Sequence, residues 1–394
     1  MPPPSRSALD SFAQAGPETG AASLARYARQ LALPGFGVDG QRRLERGSVL
    51  LVGAGGLGSP VALYLAAAGV GRLGIVDFDR VDMTNLHRQL LHGEADVGRL
   101  KTDSARERLE SINSAVRVET HAARFSARNA LELVRQYEVI VDGSDNFSTR
   151  YLVSDACVLA GRPDVVGSVL RFAGQVAVLA TLGGPCYRCL YPEPPPPDTV
   201  PTCADGGVLG VVPGLVGMIQ ATEVIKLLAG VGTPLAGRLL LVDALRMRFD
   251  EIQVDRDPRC RACGTREITE LVDDDERCVV AVRTTDAEPG SAIPASRLAE
   301  LLRDGRELDI IDVREPFEFA IARIPGARLV PLGTLESAIP TLDPGRQVVM
   351  LCHHGVRSHA AAELLRSRGF PRVWNLIGGI DAWSTEVDPA VPRY

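Results

Sequence analysis

The sequence of 394 residues predicts an α/β fold, with a large domain built on a mainly parallel sheet and a smaller α/β domain after it. Strand-like apolar runs alternate with helical patterns through the first two thirds of the chain. An acidic stretch with proline and glycine then interrupts the pattern, and the alternation restarts over roughly 100 residues, the size of a small domain. Because strands that alternate with helices pair in parallel, the pattern predicts two α/β domains in tandem.

Each element follows from a local pattern in the sequence. Residues 24–46 are predicted to form two helices, separated by Pro34 and Gly35. Apolar runs predict strands of the first domain at residues 48–52, 72–77, 116–120, 139–142, 164–168 and 176–180. Helical patterns lie between several of them, at residues 60–68, 101–112 and 127–136. In the second domain we expect strands at residues 308–313, 328–331, 348–352 and 373–376, and a helix at residues 358–368.

Composition sets the predicted boundaries. Residues 1–20 are rich in Pro, Ser, Ala and Gly and are expected to form a disordered tail. The first domain is assigned to residues 21–272, a linker to residues 273–291 and the second domain to residues 292–394. Within the first domain, residues 191–203 form a proline-rich loop, because such a run cannot enter a sheet.

Charge and composition exclude several classes of protein. The formal net charge is −6, which argues against a general nucleic-acid binder. We find no run of 18 apolar residues and expect no transmembrane helix and no membrane partner. The N-terminus lacks the apolar segment of a secretory signal. Eight cysteines, four of them in two C-x-x-C pairs, indicate metal or catalytic cysteines in a reducing compartment, which predicts the cytoplasm.

A glycine-rich turn follows the first predicted strand, in the stretch LVGAGGLGSP. Gly53, Gly55 and Gly58 form G-x-G-x-x-G, which permits a tight turn and presents the next helix N-terminus to phosphate. Asp77, at the end of the next strand, could bind ribose hydroxyls. The motif indicates a Rossmann-like nucleotide site, but at this point NAD and ATP are equally supported.

Charged residues further along the chain favour ATP. Arg88 and Lys101 supply two cations, which suit a triphosphate that is attacked at its α-phosphorus while charge moves to pyrophosphate. Asp145 follows a strand end and is a natural partner for Mg²⁺. Each residue alone could be an ordinary surface charge. Three such residues, each next to a strand end or turn, make that explanation weaker.

The motifs LARYARQ, GAGGLGSP, IVDFD, TNLHRQ, GRLK, GSDN, CYRC and CADGGVLG occur in this order. This set resembles the MoeB/ThiF class of adenylating enzymes, which are related to ubiquitin-activating enzymes. The resemblance implies a Rossmann-like adenylation domain that acts on the C-terminal glycine of a small β-grasp sulfur-carrier protein ending in Gly-Gly. It also implies a homodimer, in which Arg29 reaches the ATP of the partner subunit. The implied ATP-binding residues are Gly53, Gly55, Gly56, Gly58, Asp77, Thr84, Asn85, Leu86, His87, Arg88, Gln89, Lys101, Asp145 and Asn146.

Four cysteines form two close pairs, Cys186 with Cys189 and Cys260 with Cys263. One C-x-x-C pair would leave a redox role open. Two pairs favour a tetrahedral structural Zn²⁺ site that ties two remote segments together. Relatives in the resembled class bear such a zinc site in the same place. Cys157 lies in an apolar helical pattern and is predicted to be a core residue.

Cys203 lies in VPTCADGG, directly after the proline-rich loop. Without its context it would be interpreted as a buried cysteine, but loops are surface features. Its position matches a cysteine of the resembled class that accepts the activated carrier as a thioester or is linked to it through sulfur. A thiolate there would attack the acyl-adenylate and expel AMP.

The second domain centres on the stretch LCHHGVRS. Cys352 ends a strand and precedes a helix, so that the loop N–H groups, Arg357 and the helix dipole can favour an anionic sulfur. His353 and His354 are expected to point in different directions, which makes a poor metal chelate. With the flanking DVREPFEF and LIGGIDAW, the domain resembles rhodanese sulfurtransferases, which implies that Cys352 carries a persulfide. Four residues separate Cys352 from Arg357, whereas related phosphatases have five.

Together these observations predict an adenylyltransferase and sulfurtransferase that gives the carrier a C-terminal thiocarboxylate. Molybdopterin biosynthesis, tRNA thiolation and related pathways use this chemistry, and a cysteine desulfurase is the expected sulfur donor for the family. One alternative is an NAD-dependent oxidoreductase with a sulfur-sensing domain. Another is a non-catalytic module that docks carrier proteins. Arg88, Lys101 and the cysteines weigh against both.

Overall fold

The computed structural model describes residues 21–194, 207–273 and 291–393. Within these ranges the chain divides into two compact units, the first ending at residue 273 and the second beginning at residue 291. The first unit contains an eight-stranded sheet and the second a five-stranded sheet. The prediction of two α/β units is therefore confirmed.

Helices and strands of the first unit alternate up to β5, as predicted. The helices are α1 (Ala21–Leu31), α2 (Gly37–Arg46), α3 (Gly58–Ala68), α4 (Lys101–Ile112), α5 (Ala130–Arg135), α6 (Phe147–Ala160), α7 (Tyr187–Leu190) and α8 (Val211–Ala229). The strands are β1 (Ser48–Val52), β2 (Arg72–Val76), β3 (Arg117–His121), β4 (Val139–Asp142), β5 (Asp164–Leu170), β6 (Ala173–Leu179), β7 (Arg238–Asp243) and β8 (Arg248–Gln253).

The sheet of the first unit has the strand order β3-β2-β1-β4-β5-β6-β7-β8. The pairs from β3 to β5 are parallel, and those from β5 to β8 are antiparallel. The chain builds outward from β1 in one direction and then crosses over to β4 on the other side. Ligands bind at such a reversal of strand order, outside the carboxyl ends of the strands, so the topology points to the edge between β1 and β4.

The register brings three loops to this edge. Val52 pairs with Val76 on one side and with Asp142 on the other. The residues that follow these strand ends, Gly53 and Gly143 among them, therefore start their loops at the same level. The β1 residues are buried throughout, so a rigid apolar strand supports the glycine turn.

Helix α8 is long and apolar enough to cross a membrane by length and composition alone, which the sequence analysis did not anticipate. Two buried polar side chains with hydrogen bonds to the rest of the protein indicate that α8 is a core helix instead. The Gln220 amide donates to the carbonyl oxygens of Asp142 and Val165, at 2.9 Å each. The Glu223 carboxylate accepts the backbone N–H of Leu235 at 2.7 Å. The helix thus packs on the sheet through specific hydrogen bonds, as a helix of the protein interior does.

The second unit is a smaller parallel α/β structure with the strand order β11-β10-β12-β13-β9. Its strands are β9 (Ala292–Ile293), β10 (Leu308–Asp312), β11 (Arg328–Leu329), β12 (Gln347–Leu351) and β13 (Val373–Leu376). Its helices are α9 (Ala295–Arg303), α10 (Pro316–Ile321), α11 (Leu332–Ala338), α12 (Val356–Ser367) and α13 (Gly379–Glu386). The sequence placed strands β10 to β13 within two residues of their observed ends, whereas the two-residue strand β9 was not predicted.

A buried ion pair stabilises the second unit next to its central strand. The Arg314 guanidinium donates to both carboxylate oxygens of Asp312, and both side chains are fully buried. Arg314 also donates to the carbonyl oxygen of Ala322 at 2.7 Å. A buried charge pair of this kind is costly to break, because either partner alone would remain charged and desolvated.

Candidate functional sites

The glycine turn after β1 has a backbone that only glycine fits. Gly53 has φ of +96°, and a β-carbon there would lie 3.1 Å from the carbonyl oxygen of Gly143. At Gly58 a β-carbon would overlap the carbonyl oxygen of Gly53. The first and third glycines therefore make the turn tight, as the motif predicts. Helix α3 begins at Gly58, so its N-terminus faces the edge of the sheet.

A cavity of about 500 Å³ opens at this edge. It brings together nine of the residues predicted to bind the nucleotide, which are Gly53, Gly55, Gly56, Asp77, Arg88, Gln89, Lys101, Asp145 and Asn146. Its walls also include Phe78, Asp79, Arg124, Phe125, Ser144, Ser148, Thr149, Arg150 and Pro213, which the sequence analysis did not single out. The cavity lies at the reversal of strand order between β1 and β4, where the topology places a ligand site.

Other predicted residues lie outside the lining of this cavity. Gly58 supports the turn from below, and Arg29 is exposed on α1. The segment TNLHRQ forms a short 3₁₀ turn over Met83–Asn85 and then enters the cavity wall at Arg88 and Gln89. Thr84, Asn85, Leu86 and His87 do not line the cavity.

Lys101 and Arg88, the two cations predicted to stabilise phosphate, line the cavity in different surroundings. Lys101 starts α4, is buried, and donates from Nζ to Asp79 Oδ2 at 2.8 Å. Arg88 is half-buried and donates to the carbonyl oxygen of Thr84 at 3.1 Å. Burial together with the Arg88 charge lowers the pKa of His87, so this neighbouring imidazole adds no further positive charge at neutral pH.

Asp77 is fixed by backbone donors at the end of β2. Its Oδ2 accepts the N–H of Ala54, and its Oδ1 accepts the N–H of Asp79, each at 2.8 Å. Burial raises the pKa of Asp77, and the charge of Lys101 opposes this effect. Oδ2 of this carboxylate is thus oriented toward the glycine turn, where a ribose could be bound.

Asp145 and Asn146 lie on the loop between β4 and α6. Asp145 is exposed to the cavity, which leaves its carboxylate accessible to a cation. Asn146 caps α6, with Oδ1 accepting the N–H of Thr149 at 2.9 Å. Ser144, the residue before Asp145, is fixed by three hydrogen bonds. Its N–H and hydroxyl donate to Asp142, and its carbonyl oxygen accepts from Arg150.

Two buried carboxyl groups lie beneath this loop, on adjacent strands. Asp142 ends β4 and Asp164 begins β5, and both are fully buried. Burial raises the pKa of each group, and the charge of Arg150 opposes the increase. Sequence analysis missed this pair because a carboxyl group at a strand end cannot be recognised as buried from its neighbours alone.

The two C-x-x-C pairs form one cluster in the first unit. The Sγ atoms of Cys186, Cys189, Cys260 and Cys263 all lie within 4.8 Å of one another. Three of the separations are 3.4, 3.6 and 4.0 Å. A tetrahedral zinc with Zn–S bonds of about 2.3 Å requires sulfur atoms about 3.8 Å apart, so the donor set fits Zn²⁺. The cluster is compatible with the predicted zinc site, and three of its four cysteines are buried, with Cys189 partly exposed.

The segment between the first two cysteines is anchored to α6. The Arg188 guanidinium binds the Asp155 carboxylate with two N–H groups, at distances from 2.8 to 3.2 Å. The N–H of Tyr187 donates to the Ser154 hydroxyl at 3.1 Å. The Tyr151 hydroxyl oxygen, one turn earlier on α6, lies 2.9 Å from the carbonyl oxygens of Tyr191 and Glu193 and can donate to either of them. The cysteine cluster is therefore tied to the helix whose N-terminus borders the cavity.

Cys157 is fully buried in the core beside α6, as predicted. Burial raises the pKa of its thiol, which makes it unreactive. Cys203 lies outside the described residues.

In the second unit, Cys352 follows β12 at the base of a tight loop. Its Sγ accepts the N–H of Gly355 at 3.1 Å and lies 3.2 Å from the Ser358 hydroxyl oxygen. Gly355 has φ of +98° and precedes α12. A backbone donor and a helix N-terminus thus lie at the sulfur and favour negative charge there, with the Ser358 hydroxyl beside them.

Arg357 binds a carboxylate, an interaction that sequence analysis missed. Its guanidinium donates to the two Glu318 carboxylate oxygens at 2.8 and 2.7 Å. Glu318 lies on α10, in the stretch DVREPFEF, and also accepts the N–H of Glu315. The ion pair between Arg357 and Glu318 fixes the loop to α10. The hydroxyl group beside the sulfur comes from Ser358.

The expectation that His353 and His354 point in different directions is wrong. Their rings stack with centroids 4.1 Å apart and an angle of 12° between the planes. Burial, with the neighbouring His354, lowers the pKa of His353 to about 4. Stacking is possible because the loop bends sharply before Gly355, which brings adjacent side chains to one side.

Comparison with known proteins follows the division into two units. The ThiF family model matches residues 27–262, and the rhodanese-like domain model matches residues 294–386. The chain is 49% identical over 378 residues to the probable adenylyltransferase/sulfurtransferase MoeZ of Mycobacterium tuberculosis, covering 94% of this chain and 95% of that protein. It is 46% identical over 398 residues to the adenylyltransferase and sulfurtransferase MOCS3 of Sus scrofa, covering 94% and 87%.

Solved structures support the fold of the first unit. The crystal structure of E. coli MccB with ATP superposes with a TM-score of 0.54 at 23% identity, covering 61% of this chain and 74% of that chain. At this identity the likeness concerns the fold alone. The relatives over the whole length decide the family: the chain belongs to the ThiF family and, with its C-terminal rhodanese-like domain, to the adenylyltransferase/sulfurtransferases.

Proposed function

We propose that the protein adenylates the C-terminal glycine of a small β-grasp sulfur carrier ending in Gly-Gly and then replaces AMP with sulfur carried on Cys352. The product is a carrier thiocarboxylate. The observation that carries the first step is the cavity where the glycine turn, two cations and the Asp145 carboxylate converge. The second step rests on the sulfur-binding loop of the second unit, in which Gly355 and Ser358 surround Cys352.

In the first step, ATP occupies the cavity with its phosphates against the glycine turn and the N-terminus of α3. The carrier carboxylate attacks the α-phosphorus, and pyrophosphate leaves. Lys101 and Arg88 stabilise the charge that moves to the leaving group, which requires Lys101 to exchange Asp79 for phosphate. Asp145 would hold Mg²⁺, which neutralises phosphate charge when bound.

In the second step, the terminal sulfur of a Cys352 persulfide attacks the acyl carbon of the adenylate, forms an acyl disulfide and expels AMP. A thiolate, from Cys203 or from a thiol reductant, then attacks Sγ of Cys352. The sulfur–sulfur bond breaks, the thiocarboxylate leaves and a disulfide remains, which a thiol reductant returns to two thiols. The charge on the departing sulfur has donors available in the loop around Gly355.

The finer identities are also part of the proposal. The four-cysteine cluster holds structural Zn²⁺, and a homodimer lets Arg29 reach the ATP of the partner subunit. A cysteine desulfurase supplies the sulfur, for molybdopterin biosynthesis, tRNA thiolation or a related pathway. The cytoplasm is the proposed location because a reducing compartment keeps the cysteines of the cluster and Cys352 out of disulfides.

ATP–pyrophosphate exchange with a panel of Gly-Gly carriers tests the adenylation step. We expect exchange that depends on a carrier and on Mg²⁺, and absence of exchange with every carrier would overturn the proposal. Lys101→Ala should reduce exchange by about 10²–10³-fold, because one preorganised charge at the leaving group is lost. Lys226→Ala is the matched control, since Lys226 also pairs with a carboxylate, Glu223, but lies outside the cavity.

A further inference from the structure

The Ser358 hydroxyl has two partners that compete for its proton. Its oxygen lies 3.2 Å from Cys352 Sγ and 2.7 Å from Asn375 Oδ1. A serine hydroxyl carries one hydrogen, so it can donate to the sulfur or to the amide oxygen but not to both. Cys352 and Ser358 are fully buried and Asn375 nearly so, which leaves little access for water to replace a lost partner.

The orientation of the Asn375 amide follows from its other partner. Its Nδ2 donates to the carbonyl oxygen of Gly355 at 3.0 Å. If the amide were reversed, its oxygen would face that carbonyl oxygen, and two acceptors would meet. Oδ1 must therefore face Ser358. Asn375 thus contacts the sulfur loop twice, through Gly355 and through Ser358.

The direction of the hydroxyl proton depends on the charge of the sulfur. When Cys352 is a neutral thiol, its S–H can donate to Ser358, which donates in turn to Asn375, and every group has a partner. When the sulfur is anionic, it gains the Ser358 proton, but Asn375 Oδ1 then loses its hydrogen bond in a buried position. Leaving a buried acceptor unsatisfied is unfavourable, so this network favours the neutral thiol.

We propose that Asn375 is a positioning residue that competes with Cys352 for the Ser358 proton and thereby holds the unloaded cysteine in its thiol form. The inference rests on the proposed role of Cys352 as the sulfur carrier. Its consequence is a control on loading: the thiolate form, which attacks a sulfane-sulfur donor, is withheld until the hydroxyl turns from Asn375 to the sulfur. Once a persulfide forms, the negative charge lies on the terminal sulfur and the hydroxyl can return to Asn375.

Other charged groups around the loop do not explain such an effect, because they remain the same when Asn375 is changed. The titratable and charged groups in the loop and on the elements packed against it are Asp312, Arg314, Glu318, His353, His354, Arg357 and Asp381.

The test is the ionisation of Cys352 in the full-length protein, measured as thiolate absorbance at about 240 nm against pH, with Cys352→Ser in each background as the blank. We expect Asn375→Leu to lower the midpoint by about one pH unit, a tenfold change in the ionisation constant. Ser358→Ala should raise it, because the anion loses a donor. The double variant should match Ser358→Ala, since Asn375 acts through the hydroxyl. Ser384→Ala, which removes another buried hydroxyl, should leave the midpoint unchanged.

An unchanged or raised midpoint in Asn375→Leu would overturn the proposal. The proposal would also be overturned if Asn375→Leu lowered the midpoint equally in the Ser358→Ala background. That result would assign the effect to the contact of Asn375 with Gly355. If Asn375→Leu does not fold, selective ¹⁵N-asparagine NMR of the unmodified protein provides the same test. The Asn375 side-chain signal should shift with the midpoint of the thiol, and a signal that stays constant contradicts the competition. These measurements do not depend on sulfur transfer, so they separate this inference from the role of Cys352.

Loading provides a functional readout with thiosulfate as the donor. The Cys352 thiolate attacks the outer sulfur, the sulfur–sulfur bond of thiosulfate breaks, and sulfite leaves with the electron pair. Asn375→Leu should shift the pH profile of sulfite release to lower pH by the same amount as the absorbance midpoint, and a profile that does not move argues against control of loading.

Discussion

The four-cysteine cluster of the first unit and Cys352 of the second unit differ in the atoms around their sulfurs. In the cysteine cluster of the first unit, three sulfur–sulfur separations are 3.4 to 4.0 Å, and Cys189 Sγ also accepts the N–H of Asp257 at 3.5 Å. In the second unit, Cys352 is surrounded by donors, a backbone N–H and a hydroxyl. Burial raises the pKa of Cys186 and raises that of Cys189 to about 11, whereas burial at Cys260 is outweighed by backbone N–H groups, which lower its pKa. A bound cation would favour the thiolate form of all four cysteines. The convergence of four thiols within 4.8 Å distinguishes the candidate metal ligands from the candidate nucleophile Cys352, since backbone N–H donors occur at both.

The largest expected effect concerns the cluster. Cys263→Ser should destabilise the first unit by about 5 kcal/mol or more, because metal binding and folding of the two segments are coupled. That corresponds to a decrease in Tm of roughly 10 °C or more. Differential scanning calorimetry with zinc analysis measures both quantities. Cys157→Ser is a control for the loss of a buried thiol outside the cluster. A stable, zinc-loaded Cys263→Ser variant would contradict the structural role.

The second prediction concerns the loop of Cys352. Glu318→Gln removes the negative partner of Arg357 and releases the loop from α10. We expect sulfite release from thiosulfate to fall about tenfold or more, because a misoriented loop no longer stabilises the anionic sulfur. ATP–pyrophosphate exchange should not change. Glu336→Gln provides the control, since it removes an exposed ion pair with Arg368. Equal activity of the Glu318→Gln variant and this control would indicate that the loop holds its shape without the ion pair to α10.

The smallest effect is a pH dependence of the second unit. His353 titrates at about 4 when folded and near its ordinary value of 6.5 when unfolded, so the unfolded chain binds the proton more readily. The contribution of neutral His353 to the free energy of unfolding is therefore present above pH 6.5 and is lost as the pH falls toward 4. This contribution is on the order of 2 kcal/mol. Urea unfolding of the second-unit transition between pH 7 and pH 4 measures the slope. In His353→Asn this contribution should disappear, and an unchanged slope would assign it to other groups.

The sequence predicted much of the fold because its patterns are local. Strand β1 and helix α4 have the bounds that the apolar and helical patterns predicted. The glycine turn was predictable because Gly53 needs a positive φ and Gly58 meets the backbone of the turn. The long apolar helix α8 was not recognised as such, because Gln220 and Glu223 interrupt its apolar sequence although tertiary hydrogen bonds hold both side chains inside the protein.

The sequence predicted the reactive residues of the candidate sites better than the side chains that pair with them. Lys101 stood out by its motif, whereas its ion pair with Asp79 depends on how the loop after β2 folds. Arg357 was assigned to the sulfur from its position in the loop, and its bond to Glu318 joins residues 39 positions apart. Such pairings depend on tertiary packing, which single-sequence patterns do not encode.

The central claim is that the two units perform separate steps on one carrier. Cys352→Ala tests it most directly, with a Gly-Gly carrier, ATP, Mg²⁺ and a sulfur donor present and the carrier analysed by mass spectrometry. The account predicts normal ATP–pyrophosphate exchange and no thiocarboxylate, because the adenylation cavity lies entirely in the first unit. Thiocarboxylate formation by the variant, or loss of exchange together with loss of thiocarboxylate, would contradict this division of labour.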